Sequence, residues 1–274
     1  MSSEAHTEHS GFISSRDGTK LFYEYLAPEK PRGYVLLVHG FADHCGRYLG
    51  MAQQLVQRGY GVMRYDYRGH GRSDGRRGHI FQFSEYLDDF SAAKSALDER
   101  IQPKKHVFVM AHSYGGLITM HSASMHDLDG IVLSSPFFGF AIKVPVWKTF
   151  AGRLLSRYIP SLSLPTDLEP ETVSHDPATI DEYANDPLIG RVATARWLTE
   201  TEKAHARVPD LARTLQTPVL YQQAGADKIV DGDVGNQIYE SIAASDKTWI
   251  DYPDQYHEIW FELDRQPILD AAYD

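Results

Sequence analysis

Residues 106–120, HVFVMAHSYGGLITM, decide the fold. An apolar run of strand character, VFVMA, stops at a histidine and a serine. After a tyrosine and two glycines, a second apolar run of helical character begins. A hydroxyl at the seam between two core elements needs a reason. A serine is a poor nucleophile until a base takes its proton, and it must stand clear of the sheet to meet a substrate. A sharp strand-to-helix turn provides that projection. It holds the serine in a strained backbone conformation and crowds the positions two before and two after, where small residues are required. Ala111 and Gly115 occupy those positions around Ser113. The competing reading is a tight loop that merely packs a helix on a sheet.

Outward from this seam the chain alternates. KLFYEYLAP (20–28), GYVLLVHG (33–40), YGVMRYDY (60–67), HVFVMAHS (106–113) and GIVLSSP (130–136) have strand character. RYLGMAQQLVQRG (47–59), FSEYLDDFSAAKSALDERI (83–101) and YGGLITMHSASMH (114–126) have helical spacing. Such alternation predicts a mainly parallel sheet with helices on both faces. It breaks between about 137 and 202, where Pro145, Pro160, Pro165, Pro170, Pro177 and Pro187 punctuate short helical stretches. It resumes with PDLARTL as a helix, PVLYQQAG as a strand, VGNQIYESIAA as a helix, KTWIDYP as a strand and a final helix from His257. The expected organisation is a core in two parts, 1–136 and 204–274, with a cap, 137–203, inserted between them.

Composition narrows the function. With 27 basic against 37 acidic residues the formal net charge is −10, the wrong sign for affinity built on neutralising phosphates, so nucleic acid is not an expected partner. The single cysteine, Cys45, can form no internal disulfide and supplies no cysteine-based zinc site. The opening MSSEAHTEHS is polar and lacks the order of a signal peptide, and no apolar run approaches the ~20 residues of a membrane span. A soluble, cytoplasmic protein is expected, with its oligomeric state left open.

Six segments carry a family likeness: VHGFADHCGRY (38–48), DYRGHGRSDGRRGH (66–79), AHSYGG (111–116), DPLIG (186–190), AGADKIVD (224–231) and YHEIWFE (256–262). In this order and spacing the chain resembles the α/β-hydrolase superfamily, and within it the monoacylglycerol lipase and lysophospholipase branch. The resemblance implies an eight-stranded, mainly parallel sheet with an inserted helical cap, and a triad in the chain order serine, acid, histidine. Asp227, after the strand PVLYQQAG, and His257, after KTWIDYP, stand at the matching places. His257 would then act as base and acid for Ser113, with Asp227 fixing its tautomer. Asp231 and Asp233 are rivals better suited to capping the next helix, and Asp254 lies on the histidine's own loop. Two N–H donors must converge on the oxyanion. Tyr114, directly after the nucleophile, and Phe41, in the turn after YVLLVHG, are the candidates, with Gly40 allowing close approach and His39 orienting the loop.

In the resembled lipases an acidic residue and an arginine of the following loop lie near the alcohol part of the substrate. Here these are Asp43 and Arg47, the former an aspartate where a glutamate is usual. Two readings stand side by side: direct substrate contact, or a pair that braces the loop. Cys45 reads as a packed thiol rather than a nucleophile. The glycines of DYRGHGRSDG, at 69, 71 and 75, do not match the dinucleotide fingerprint, HEIWF lacks the second histidine of a zinc-protease helix, and His121 and His126 are five apart. No metal and no organic cofactor are expected.

The cap supplies the substrate reading. Residues 137–165 hold four cations (Lys143, Lys148, Arg153, Arg157) and no acid, in a chain of charge −10. On a helix from Val146, Trp147, Phe150, Leu154 and Tyr158 share one apolar stripe. Phe138, Trp147 and Phe150 are candidate substrate contacts. The stripe either packs the cap on the sheet or lines an acyl channel and meets lipid aggregates, its cations facing anionic surfaces. The expected activity is a serine carboxylester hydrolase acting on monoacylglycerol-like or lysophospholipid-like esters. A proline iminopeptidase, using Asp167, Glu169 and Glu171 to hold a free amine, and a non-catalytic receptor are the alternatives.

Overall fold

The computed structural model describes residues 6–101, 105–141, 146–166 and 168–273. Among the described residues ten strands occur in chain order: β1 (His6–Ser14), β2 (Lys20–Pro28), β3 (Gly33–Val38), β4 (Tyr60–Tyr65), β5 (His106–His112), β6 (Gly130–Ser134), β7 (Ser163–Pro165), β8 (Val192–Thr194), β9 (Val219–Ala224) and β10 (Lys247–Tyr252). Eight of them form one sheet in the order β1-β2-β4-β3-β5-β6-β9-β10, and β7 pairs with β8 in a separate antiparallel ribbon. From β4 to β10 every neighbouring pair in the sheet is parallel, while β1 and β2 run antiparallel at one edge.

The strands' residues explain their place. The central GYVLLV of β3 is buried along its whole length, as a strand covered on both faces must be. On one face lie α1 (Leu49–Gln57) and α8 (Arg265–Tyr273), which bury Met51, Leu55, Ile268 and Leu269 against Val35 and Val62. The other face carries α2 (Ser84–Asp98), α3 (Tyr114–Ser122), α6 (Ala195–Ala212) and α7 (Gly232–Ser241), through Phe90, Leu117, Val208 and Ile238. Two further helices, α4 (Val146–Tyr158) and α5 (Pro177–Asn185), belong to the segment between β6 and β9. No helix among the described residues is long and apolar enough to cross a membrane.

Three expectations need correction. From His6 on, the opening segment, read only as polar, is the edge strand β1, which pairs through Ser14↔Lys20 with β2. An edge strand has one neighbour and one wet face, so it needs little apolar content. The helix expected from PDLARTL is the end of α6, an 18-residue helix that starts at a Thr194 cap and runs across the expected cap boundary at 203/204. Pro209 removes one donor without ending it, because Val208 and Ala212 on either side are anchored in the core. The last helix starts at Arg265 rather than His257, since Ile259–Phe261 form a tight 3-10 turn that buries Ile259 and Trp260.

Candidate active site

The carboxyl ends of parallel strands gather loops at one edge of the sheet, the usual place for a ligand in such folds. β5 ends at His112, whose register partner in β6 is Ser134. Ser113 follows with φ 52° and ψ −117°, a left-handed conformation that a serine adopts only under constraint. That constraint is visible. The Ser113 N–H donates to the Ser134 carbonyl (2.9 Å), and the Ser113 carbonyl accepts from Phe137 (2.9 Å) as well as from the first turn of α3. A Cβ on Gly115 would stand 2.4 Å from the Val38 carbonyl oxygen and 2.5 Å from that of His39, so the helix can start here only on a glycine.

The turn aims the hydroxyl at the loop after β10. Ser113 Oγ lies 2.9 Å from His257 Nε2, and His257 Nδ1 lies 2.7 Å from Asp227 Oδ2. The other oxygen of Asp227 accepts from the N–H groups of Ile229 (2.8 Å) and Val230 (3.0 Å), which fixes the carboxylate's orientation. With Asp227 accepting at Nδ1, the free nitrogen Nε2 is left to face the serine. Burial works against charging the imidazole of His257, but the Asp227 charge and hydrogen bond, with Glu258 and Asp43 behind them, outweigh it and raise its pKa above 6.5. The rival acids stand elsewhere. Asp231 Oδ1 caps α7 by accepting from Asp233 and Val234, Asp233 lies in that helix's first turn, and Asp254 is exposed.

Beside the serine, the loop after β3 carries Phe41. The carbonyl of Gly40 accepts from Tyr67 Oη and from His39 Nδ1, both at 2.7 Å, and the His39 ring stacks on Tyr67 at 4.1 Å. His39 thus orients the loop. A Cβ on Gly40 would come within 3.3 Å of the Ser113 Cβ, so the close approach of this loop to the serine depends on glycine. The next residue, Ala42, has φ 63°, and its carbonyl accepts from Gly190 at 2.8 Å. Two residues on, His44 Nε2 meets Asp186 Oδ2 at 2.9 Å. The segment DPLIG therefore braces this loop from the cap side.

Ser113 and His257 open into a cleft of about 580 Å³ that also bears Phe41, Phe137, Phe140, Trp197 and Ile229 on its walls. Asp43 and Glu258 reach it as well. A second hollow of about 310 Å³, at the other end of the strands against Tyr60, Phe108 and Tyr273, has no serine, histidine or cysteine in its lining.

The remaining sequence candidates divide. Asp43 and Arg47 do pair (3.1 Å), and Asp43 also accepts from Tyr48 Oη (2.7 Å). Burial raises the pKa of Asp43, but Arg47 and then the neighbouring histidines and Tyr48 overcome this and hold it well below the usual carboxylate range. Arg47 is not among the residues that line the cleft, and its side chain is fully buried and clamped by Glu258 at 2.8 and 2.6 Å. Phe138 also turns away from the cleft, into the core beside Tyr221, whereas Phe137 and Phe140 face it. The side chains of Trp147 and Phe150, like Lys143, Lys148 and Asp167, lie outside the described residues. Cys45 is buried, and burial, with Asp66 and Glu24 nearby, pushes its thiol pKa up, which is inert behaviour.

The sequence reading missed Glu258. It adjoins His257 in the chain, which was the available signal, but a carboxylate at a loop position gives no hint that it will be buried on an arginine 211 residues away. Trp197 and Thr201 were missed too, because they belong to a helix assigned to the cap while their side chains reach the seam at Ser113.

The family model Hydrolase_4, described as serine aminopeptidase, S33, matches residues 29–264. Among curated relatives, the chain is similar to "Phospholipase YtpA" of Bacillus subtilis, with 31% identity over 89% of this chain and 95% of that one. It is 29% identical to "Monoacylglycerol lipase" of Mycolicibacterium smegmatis over 98% of this chain and 96% of that one. Among solved structures, the monoacylglycerol lipase of Paleococcus ferrophilus superposes with a TM-score of 0.82 at 28% identity, covering 92% of this chain and 96% of that one.

Proposed function

The chain belongs to the Hydrolase_4 family, within the monoglyceride lipase-like branch of the α/β-hydrolases, and from that premise we propose that Ser113, His257 and Asp227 hydrolyse carboxylic esters through an acyl-enzyme. The observation that carries this reading is the relay of 2.9 and 2.7 Å from Ser113 through His257 to Asp227 at the floor of an apolar cleft. His257 Nε2 takes the hydroxyl proton as Ser113 Oγ adds to the ester carbonyl. The N–H groups of Phe41 and Tyr114 receive the oxyanion. Collapse of that intermediate expels the alcohol, which leaves with the proton held by His257. Water then repeats the sequence: His257 takes its proton, the hydroxide adds to the acyl carbon, and Ser113 departs with the proton returned. The products are one alcohol and one carboxylic acid.

The substrates proposed are monoacylglycerol-like or lysophospholipid-like esters. Phe137, Phe140, Trp197 and Ile229 give the cleft an apolar wall suited to an acyl chain. Burial of each methylene contributes up to about 0.8 kcal/mol, so several methylenes raise kcat/KM well over tenfold relative to an acetate. A lipid surface is proposed to meet the cap, where Leu154, Tyr158, Ile159 and Leu164 are exposed. Of the stripe expected on α4, the described members Leu154 and Tyr158 face outward, and Ser156 is on the side that packs inward.

An ester panel varying acyl length and head group, run on the parent and on Ser113→Ala, tests this. Turnover that peaks at medium or long chains and vanishes in the variant is expected. A maximum at acetate would refute the channel. Activity on amino-acyl amides in preference to esters would favour the aminopeptidase alternative, for which Glu169 stands on the cleft wall.

A further inference from the structure

We propose that Trp197 and Thr201, four residues apart on α6, are positioning residues that hold Phe41 and Tyr114 in register with each other. The Trp197 ring lies 4.1 Å from that of Phe41 and 5.3 Å from that of Tyr114, nearly parallel to the latter at 30°. One turn on, Thr201 Oγ1 is 2.9 Å from Tyr114 Oη. Tyr114, Trp197 and Thr201 are buried, so these contacts are made away from solvent competition.

The two residues so joined arrive from different places. Phe41 stands beyond the end of β3 at Val38, next to a left-handed Ala42, and Tyr114 opens α3. The aromatic stack sets their spacing from above. Aim matters here, since a displacement of about 1 Å can cost on the order of 10²-fold in rate. The same helix reaches the outside of the cap, because Thr199 Oγ1 lies 2.7 Å from Ser156 Oγ of α4, the helix that exposes Leu154 and Tyr158.

This inference rests on the proposed role of the Phe41 and Tyr114 N–H groups as oxyanion donors. Thr201→Val keeps the shape and removes the hydroxyl, while Thr201→Ser keeps the hydroxyl. The valine variant should lose about tenfold in kcat with KM within about twofold, and the serine variant should stay near the parent. Affinity for an alkyl boronic acid, which adds to the serine as a tetrahedral anion, should fall with kcat. Affinity for a monoalkyl glycerol ether, which forms no oxyanion, should not. Parental kcat and boronate affinity in Thr201→Val would overturn the coupling while leaving the hydrolase reading intact, and so would equal losses of boronate and ether binding. A parent with no ester turnover would remove both.

Discussion

The floor of the cleft and the outer face of the cap are built on opposite terms. At the floor, Ser113, His257 and Glu258 are buried and each functional side chain is held by a hydrogen-bond or ion-pair partner. On the cap, Leu154, Tyr158 and Ile159 are 52%, 70% and 51% exposed, and Arg153 meets Glu202 only at 3.7 Å, both partly or wholly in solvent. Contacts of the first kind lose heavily when one partner goes, while exposed ion pairs contribute little. The floor is thus a fixed instrument, and the cap a surface with room to adapt.

The largest effect should follow from striking the floor at its centre. Ser113→Ala should fold normally and lose at least ~10⁴ in ester turnover, because nucleophile and base act as a unit. A fluorophosphonate should label the parent at Ser113 and leave the variant unlabelled. Near-parental turnover by a folded alanine variant would end the serine mechanism. Asp227→Asn should come next, with a fall of roughly 10²–10⁴ in kcat through the wrong imidazole tautomer. Asp231→Asn is its control, since asparagine caps a helix about as well as aspartate and Asp231 is occupied with α7. Crippling by the second substitution rather than the first would reassign the acid.

A smaller effect should come from the floor's edge. Glu258 and Asp43 add negative charge around His257, whose pKa is raised despite the opposing effect of burial. The base works only when neutral, so kcat/KM in the parent should rise with pH through a midpoint above 6.5. Glu258→Gln should move that midpoint to lower pH and, by leaving Arg47 with one carboxylate instead of two, cost about 3 kcal/mol of stability. The linkage sign is opposite to that of activity. A histidine whose folded pKa is raised contributes stability that is complete below its unfolded value and fades as pH rises through the folded one. An unmoved midpoint in a folded variant would show that Glu258 is only a strut for Arg47.

The same contrast explains what could be read from the sequence. The floor was legible because its chemistry is local: a strand, a serine between Ala111 and Gly115, and a helix are contiguous, and the six segments carrying the family likeness fall in fixed order. Pairings across the chain beyond those the family likeness implied were not legible. Glu258 on Arg47 and Trp197 on Phe41 depend on which loops the sheet brings together. In the cap, helical spacing picked out a stripe that includes Leu154 and Tyr158 but could not say which face would turn inward, and among the described side chains it is Ser156 and Gly152 that lie toward α6. Pro209 was read as a beginning because proline favours the first turn of a helix, and only burial of its neighbours shows it to be an interior residue.

The smallest effect belongs to the cap's charge. Arg153 and Arg157 are exposed beside Leu154 and Tyr158, which is the arrangement of an apolar surface fringed by cations, in a chain whose net charge is −10. Attraction between such cations and an anionic vesicle acts over about 8 Å at physiological salt, so it should be modest and easily screened. Replacing Lys148, Arg153 and Arg157 together by glutamine should weaken binding to vesicles containing anionic lipid, and leave turnover of a soluble short-chain ester at the parental level. Raising the salt should reproduce the loss in the parent and add little to it in the variant. Binding to purely zwitterionic vesicles should change little, since the exposed Leu154, Tyr158 and Ile159 remain. If the triple variant binds anionic vesicles as the parent does, the cations only make the cap soluble. If it loses soluble-ester turnover in equal measure, they brace the cap over the cleft, and the division between a fixed floor and an adaptable surface fails at this point.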